Sequence, residues 1–447
     1  MNKREFIDKI DIENNFDIFR KKIKISTYNG EIVFLTSLID TFLLSSIIEG
    51  LEKLENINDI LDKSNSPQIK TGNINDVEES FYSGCAILFI ARKIYIIDCR
   101  KYPSRSSDEP YTEKSIRGSR DGFNEQINTN IGLIRLRIKS NQLVSEIYSI
   151  SKFSKTTVSL VYMKNKVDLN VVDVIRKRLN HLNISSLIMS DRSLEEKLLK
   201  QKYIFFPLVR YTERPDIACI NIIKGKVILL VDTSPSVIIL PITIFDHFKH
   251  VEEYRQPPII GTLTKLIRIS SIFISIFLSP IILCLYIDHD ISNYFILNSD
   301  KLPPVISFEM ITATLVLEIF RLATIHTPTV LGGTISLVSA LVLGQVSIDL
   351  GIFSSEVLLV VCISAICGYA TPSYELSLSN KFLSILLLLS SAFFKMEGFI
   401  VCLIFIFLYL VSIKTFNKAY LYPFIPFNLK DLLKFIFREN YEDKKDI

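Results

Sequence analysis

The feature that most constrains the fold is a change of solvent preference partway along the chain. Up to about Arg255 the sequence is dense in Lys, Arg, Asp and Glu, and from Ile267 to Ile413 it becomes long apolar runs with isolated charges. Apolar runs of roughly 20 residues match the thickness of a bilayer. A hydrophobic content of 49% beside 22% charged residues fits two unlike halves. The expected architecture is an α/β cytosolic N-terminal region of two subdomains, residues 1–140 and 141–255. An α-helical multi-pass membrane domain at 262–413 and a cytosolic tail at 414–447 follow.

The opening stretch "MNKREFIDKIDIENNFDIFRKKIK" is charged throughout and lacks the apolar core of a secretory signal, so the first half is expected to stay in the cytosol. Of seven cysteines, Cys85, Cys99 and Cys219 are scattered through the first half, and Cys284, Cys362, Cys367 and Cys402 sit in apolar runs. No CxxC pair or Cys/His cluster appears, and neither a metal site, a disulfide framework nor a cofactor is expected. A net charge of +4 gives no reason to invoke nucleic acid.

In the first half, "EIVFLTSLIDTFLLSSIIEGLEKL" (31–54) carries apolar residues at helical spacing, and Ala86–Ile90 with Ile94–Ile97 reads as a hairpin. Further on, "TVSLVYM" (157–163) and "SSLIMS" (185–190) read as strands, "LNVVDVIRKRLNHL" (169–182) and "SLEEKLLKQ" (193–201) as helices. "DIACINII" and "KVILLVD" read as a hairpin about Gly225 and Lys226. This alternation predicts a mixed sheet with covering helices.

The most polar turn is "SIRGSRDGF" (115–123), which leads into a helix whose face is Phe123, Ile127, Ile131, Ile134 and Ile138. Asp121 and Glu125 stand near its start, and Arg135, Arg137 and Lys139 near its end, which complements the helix dipole. Two readings stand. In one, Gly118 and Gly122 permit a tight entry and Asp121 caps the first amides. In the other, Arg117, Arg120 and the helix N-terminus converge on a phosphate or carboxylate. No P-loop is present, because the Lys-Ser/Thr after the glycines is missing. Glu213, Arg214 and Asp216 in "RYTERPDIA" suggest either acid/base chemistry or a salt bridge beside a proline turn. With no nucleophile motif and with His181, His247, His250, His289 and His326 dispersed, no catalytic constellation and no enzyme activity is expected.

In the second half, "LIRISSIFISIFLSPIILCLYI" (266–287) is long enough to cross a bilayer, with Lys265 and Arg268 marking a cytosolic end. Further apolar stretches fall at about 305–325, 330–350, 352–371, 382–395 and 398–413. Lys395 and Glu397 interrupt the last pair, as two short helices or a re-entrant hairpin would require. Lys414 and Lys418 place the tail inside, giving an even number of crossings between four and six. The stretch 305–325 holds Glu309, Glu318 and Arg321. Glu318 and Arg321 are spaced to pair, and Glu309 lies about half a turn out of phase with Glu318 at ~100° per residue. Such a helix either lies at the interface or spans with its charged face on a polar cavity. In "GGTISLVSALVLGQVS" (332–347), Gly332, Ser336, Ser339, Leu343 and Ser347 form a small-residue stripe, accompanied by Thr334 and Gln345. It serves either close helix packing or a pore wall gated by Leu343.

Five stretches, in order, carry a resemblance: "IRGSRDGFNEQINTNIGLIRLRI", "ERPDIA", "VDTSPSVIILPITIFDHFKHVEEY", "GGTISLVSALVLGQ" and "AYLYPFIPFNLKDL". From about Glu113 to the tail the chain resembles the A subunits of spore germinant receptors, the GerA family. It departs where the family usually has proline (Ser119), glycine (Thr233, Thr324) and an acidic residue (Thr314). The resemblance implies a multi-pass protein of the inner spore membrane, with the N-terminal domain and tail facing the core. Its implied partners are a transporter-like B subunit, a lipoprotein C subunit, further copies of itself and membrane lipid. In such a ring the membrane part conducts monovalent cations once nutrient binds. Arg117, Arg120, Asp121, Glu125, Glu213, Arg214 and Asp216 are then candidates for signal transmission between subunits. Glu318, Arg321, Thr334, Ser336, Ser339, Leu343, Gln345 and Ser347 are candidates for the polar membrane path. The alternatives are an A-like paralogue that amplifies germination alongside dipicolinate release, and a non-conducting membrane scaffold. A secondary transporter is a further alternative, against which stands the lack of a detectable internal repeat.

Overall fold

The computed structural model describes residues 3–55, 60, 68–72, 74–102, 113, 118–182, 184–199, 204–250, 252–253, 256–287, 301–326, 329–416 and 418–437. They form two compact units, Met1–Tyr203 with Leu208–Ile242, and Ile204–Pro207 with Thr243–Ile447.

The first unit holds two five-stranded sheets. Strands β1 (Ile18–Ile25), β2 (Tyr28–Leu35), β3 (Ile69–Thr71), β4 (Ala86–Ile90) and β5 (Lys93–Ile97) lie in the order β1-β2-β4-β5-β3. Strands β6 (Leu143–Ile150), β7 (Thr156–Met163), β8 (Arg210–Thr212), β9 (Val227–Val231) and β10 (Val237–Leu240) repeat that order as β6-β7-β9-β10-β8. All pairings between these strands are antiparallel, where alternation had predicted a mixed sheet. Helices α1 (Lys3–Ile10), α2 (Thr41–Glu52) and α3 (Ile74–Tyr82) accompany the first sheet; α4 (Ile127–Arg137), α5 (Leu169–Asn180), α6 (Ser190–Leu199) and α7 (Pro215–Ile223) follow.

The first sheet is covered on both faces. Ile32, Leu88 and Ile97 pack with Leu44 and Ile48 of α2, while Val33, Leu35 and Ile87 pack with Phe6 of α1 and Phe81 of α3. Neighbouring residues of β2 thus enter opposite cores, as the pleat requires. That is why 31–54 read as one helix: a strand buried on both sides is a continuous apolar run. The break comes at Asp40, whose carboxylate accepts hydrogen bonds from Phe42 N (3.0 Å) and Leu43 N (3.2 Å) and starts α2. A similar correction applies to "DIACINII". It is helix α7, with Pro215 in its first turn and Ile217, Ala218, Cys219 and Ile222 buried. Residues 185–190 form no strand; Ser185 O accepts from Phe153 N (2.9 Å), and α6 begins at Ser190.

The second unit is helical: α8 (Pro258–Ile287), α9 (Pro303–His326), α10 (Thr329–Leu341), α11 (Ser355–Gly368), α12 (Tyr374–Ser412) and α13 (Leu429–Ile436). Among the described residues, α8 and α12 are long and apolar enough to cross a membrane. Helix α12 breaks at Lys395, where φ is 55° and ψ is −145°, between the two apolar runs flanking Lys395 and Glu397. Leu283, Ile306, Met310, Val357, Val361 and Leu388 form the buried centre. Segment Ile204–Pro207 belongs to this unit: Phe205 stacks on Phe382 with ring centroids 5.0 Å apart, and its carbonyl accepts from Ser379 Oγ at 2.6 Å.

Candidate functional site

The polar turn before α4 is locked into its own unit. Ser119 Oγ donates to Asp121, Arg137 Nη2 reaches Ser119 Oγ (2.9 Å) and Asp121 Oδ2 (2.5 Å), and Arg214 Nη2 reaches Ser119 O (3.1 Å). Arg214 also grips Asp216 through Nε (3.0 Å) and Nη2 (2.8 Å), and Glu113 O through Nη1 (3.1 Å). Glu113 accepts in turn from Arg210 Nη2 (3.2 Å) and Thr212 Oγ1. Burial opposes the charge of Arg214, but the Asp216 hydrogen bonds and the fields of Asp216, Glu113 and Asp121 outweigh it and hold its pKa above the ordinary arginine value.

Asp121 therefore does not cap α4. The helix starts at Ile127 behind Gln126, and the carboxylate that meets Ile127 N, at 3.4 Å, is that of Asp232. The turn is built to bind the β8–α7 connection, and Phe123 N donates to Glu213 O at 2.8 Å. Arg120 and Glu125 are exposed and Glu213 is half-buried. Arg117 lies outside the described residues.

A second polar cluster escaped the sequence reading. Arg135, in the last turn of α4, is fully buried and forms a two-pronged ion pair with Asp17, from Nε to Oδ2 and Nη2 to Oδ1, both 2.9 Å, rather than serving only the helix dipole. Its Nη2 also reaches Asn15 Oδ1 (2.9 Å), and its Nη1 the Leu143 carbonyl (3.2 Å). Burial pushes the Asp17 carboxyl up, but the charge and hydrogen bonds of Arg135 and the Ser145 and Ser37 hydroxyls outweigh it and hold the pKa below the ordinary value. The signal was available: Arg135 stands four residues after Ile131 and beside Ile134, on the apolar face of the helix. A lone cation there calls for a buried partner.

In the helical unit, the three charges of α9 divide as their spacing predicts. Glu309 turns to Lys301 Nζ (2.6 Å) and takes Ser354 N (2.9 Å) and Ser354 Oγ (2.8 Å) at the start of α11. Glu318 pairs with Arg321 through Nε at 3.0 Å. That pair borders a small cavity between α8, α9, α11 and α12, lined also by Ser275, Ser364, Asn380 and Lys381. Its free volume of ≈ 20 Å³ is on the scale of one water molecule. Asn380 Nδ2 is buried without a hydrogen-bond partner.

The small-residue stripe lies on α10 and a wider π-helical turn, Val342–Val346. Thr334 and Gln345 are exposed, Ser339 and Leu343 half-buried, and Ser347 buried with its Oγ on Val342 O at 2.6 Å. The i+5 turn interrupts the four-residue steps of the stripe, and Ser347 is committed to its own backbone. The side chains of Gly332 and Ser336 fall outside the described residues. The seven cysteines are free, and burial pushes the thiols of Cys99 and Cys219 up to about 12, away from reactive thiolates.

Two antiparallel sheets with covering helices, followed by a unit with, among the described residues, two helices long and apolar enough to cross a membrane, define the class of protein. The family model described as Bacillus/Clostridium GerA spore germination protein matches residues 7–446, and the chain belongs to that family. It is 35% identical to "Stage V sporulation protein AF" of Bacillus subtilis (strain 168) over 98% of this chain and 92% of that protein. It is 28% identical to "Spore germination protein A1" of the same organism, over 94% of this chain and 90% of that one. Among solved structures, the N-terminal domain of the A subunit of the Bacillus megaterium spore germinant receptor GerK3 matches at 25% identity. That alignment covers 53% of this chain and 92% of the other, with a TM-score of 0.39.

Proposed function

We propose that this chain is a multi-pass subunit of the germinant-receptor A type in the inner spore membrane, and that copies of it assemble around a path for monovalent cations. The observation that carries the reading is the family match across both units, residues 7–446. The mechanism involves no catalytic step. A nutrient signal held by a transporter-like B subunit, with a lipoprotein C subunit alongside, reaches the first unit, which faces the core. Exposed Arg120 and Glu125 at the polar turn are its contact points. Thr334, Ser339 and Gln345 supply oxygen groups along the path, and Leu343 is its apolar gate. Cation flux in liposomes holding the chain with cognate B and C subunits tests this. Nutrient-evoked flux that Ser339→Leu diminishes supports it, and an assembled, nutrient-binding complex without flux refutes the channel in favour of a scaffold.

A second reading has its own support. The identity of 35% to a relative named "Stage V sporulation protein AF", against 28% to one named "Spore germination protein A1", keeps open the A-like paralogue that amplifies germination alongside dipicolinate release. Spores lacking the chain decide between the two. Loss of response to one nutrient marks the receptor subunit, and a slower response to every nutrient marks the amplifier.

A further inference from the structure

The segment after α12 ends in a helix with an uncovered apolar edge. In α13, Leu429 and Leu433, one turn apart, are exposed; Phe424 and Phe427 before the helix and Phe437 after it are exposed as well. Lys430 and Lys434 stand beside this edge, again one turn apart, and Lys434 Nζ also reaches Asp431 Oδ1 at 3.2 Å, a part-exposed pair open to exchange with a phosphate. The opposite side of the helix is occupied: Phe435 is buried, packing edge-on against Phe245 at 4.9 Å. The segment leading into α13 is held by side-chain bonds. Tyr422 OH donates to Asp431, and Asn428 Nδ2 reaches Tyr422 OH at 3.1 Å.

What fixes the level of α13 is Lys265. Its ammonium donates to the Phe435 carbonyl and stands 4.3 Å from the Phe435 ring centroid. Lys265 directly precedes the apolar run 266–287, while the chain reaches α13 from α12, whose apolar run ends at Lys414. Helix α13 is therefore pinned where the apolar run of α8 begins and tethered where that of α12 ends. A short helix at that level, with Leu429 and Leu433 on one edge, exposed phenylalanines just before and after it and lysines beside it, has the pattern of an interfacial segment. A protein partner would not require the lysines to flank the apolar edge at the height where the spans begin; a bilayer with anionic headgroups does.

We propose that Phe424–Phe437 is a membrane-surface anchor, its phenylalanine and leucine side chains seated below the headgroups of anionic lipid and Lys430 and Lys434 among the phosphates. The inference rests on the membrane reading of α8 and α12. The chain contains no tryptophan, so a single introduced indole reports one position. Full-length Phe427→Trp is reconstituted into phosphatidylcholine vesicles, with and without phosphatidylglycerol, using lipids brominated at shallow or deep acyl positions. Phe405→Trp in α12 reports the span, Phe42→Trp in the first unit reports water, and Phe424→Trp serves as a second anchor probe. The expected result is blue-shifted emission from Phe427→Trp that loses most of its intensity to shallow bromines. Replacing Lys430 and Lys434 by Gln should weaken seating in the anionic vesicles, roughly fivefold per charge. Blue-shifted emission that bromines leave intact would mean a protein covers the segment, and overturns the anchor. So does water-like emission while Phe405→Trp is quenched. If Phe405→Trp also escapes the bromines, the membrane reading fails and the anchor with it.

Discussion

Replacing Asp17 by alanine should be the most damaging single change in the first unit. Asp17 and Arg135 have side-chain exposures of 0% and 1%, so the substitution strands a guanidinium where no water compensates it. Leaving one partner of a buried pair unmatched costs about 3–5 kcal/mol. That is a large share of the ~5–15 kcal/mol by which a domain is stable. The assay is pulse proteolysis of the full chain in nanodiscs across a urea series, following fragments of residues 1–203. The double variant Asp17→Val with Arg135→Met should recover part of the loss, since no bare charge remains. It should not recover all of it, because Asn15, Ser145 and the Leu143 carbonyl lose their shared partner, at about 1–3 kcal/mol for each group left unsatisfied. The pH dependence has a definite sign. The folded pKa of Asp17 lies below the ordinary 3.8, so the pair's contribution is complete above that value and is lost as pH falls toward the folded pKa. Asp17→Asn should therefore unfold earlier than wild type at neutral pH, and the gap should narrow only under acid conditions. An Asp17→Ala variant within about 0.5 kcal/mol of wild type, the range of surface substitutions, would refute the reasoning.

Other outcomes follow from the same geometry. Arg214→Lys keeps the charge but cannot hold Asp216 and two carbonyls together; it should cost about 2–3 kcal/mol and speed hydrogen exchange at Phe123 more than in β1–β5. Gly225→Ala should cost about 1–3 kcal/mol in urea unfolding, because φ is +80° and a new Cβ would sit 2.3 Å from Lys166 O. Arg120→Glu, at an exposed position, should weaken assembly of the purified complex; unchanged assembly and germination would remove Arg120 from the signal path.

What the sequence made legible depended on whether a single periodicity governed the segment. The β4–β5 hairpin showed itself because its two β-rich runs flank a short turn. The end of β2 and most of α7 did not: Ile32–Leu35 is a continuous apolar run, and in α7 apolar residues crowd around only Asp216 and Asn221, so neither a period of 2 nor one of 3.6 stands out. Strand β6, with Ser145, Glu146, Tyr148 and Ser149, is too polar to stand out, since Ser145 binds Asp17 and Glu146 binds Arg176, distant partners that no local pattern reveals. The same limit applied at the candidate site. Glu318 and Arg321 are three residues apart, so their pairing was readable, whereas Asp17 and Arg135 are 118 residues apart. Only the oddity of a cation on an apolar helix face pointed to that contact.

The position of this hidden pair gives it a further meaning. Both sheets have the same strand order, so each ends on its first strand, β1 or β6. An exposed edge invites unwanted pairing and is usually blocked. The β6 edge is blocked by the chain entering β1: Asn15 forms a parallel bridge with Ser145, Phe16 N donates to Ser145 O at 3.0 Å, and Asn15 Oδ1 accepts from Ser145 N at 3.0 Å. Asp17 and Arg135 are thus the charged centre of the seam between two sheets of identical topology. Apolar side chains there would leave the register of the seam free to slip, whereas a forked guanidinium accepts one arrangement of carboxylate, amide and hydroxyl. On this hypothesis the pair specifies how the sheets join more than it stabilises either one. The Asp17→Val, Arg135→Met chain should then keep slow hydrogen exchange inside β4 and β9 while the amides of Phe16 and Ser145 exchange rapidly. Uniformly faster exchange through both sheets would show instead that the pair holds up the sheets themselves.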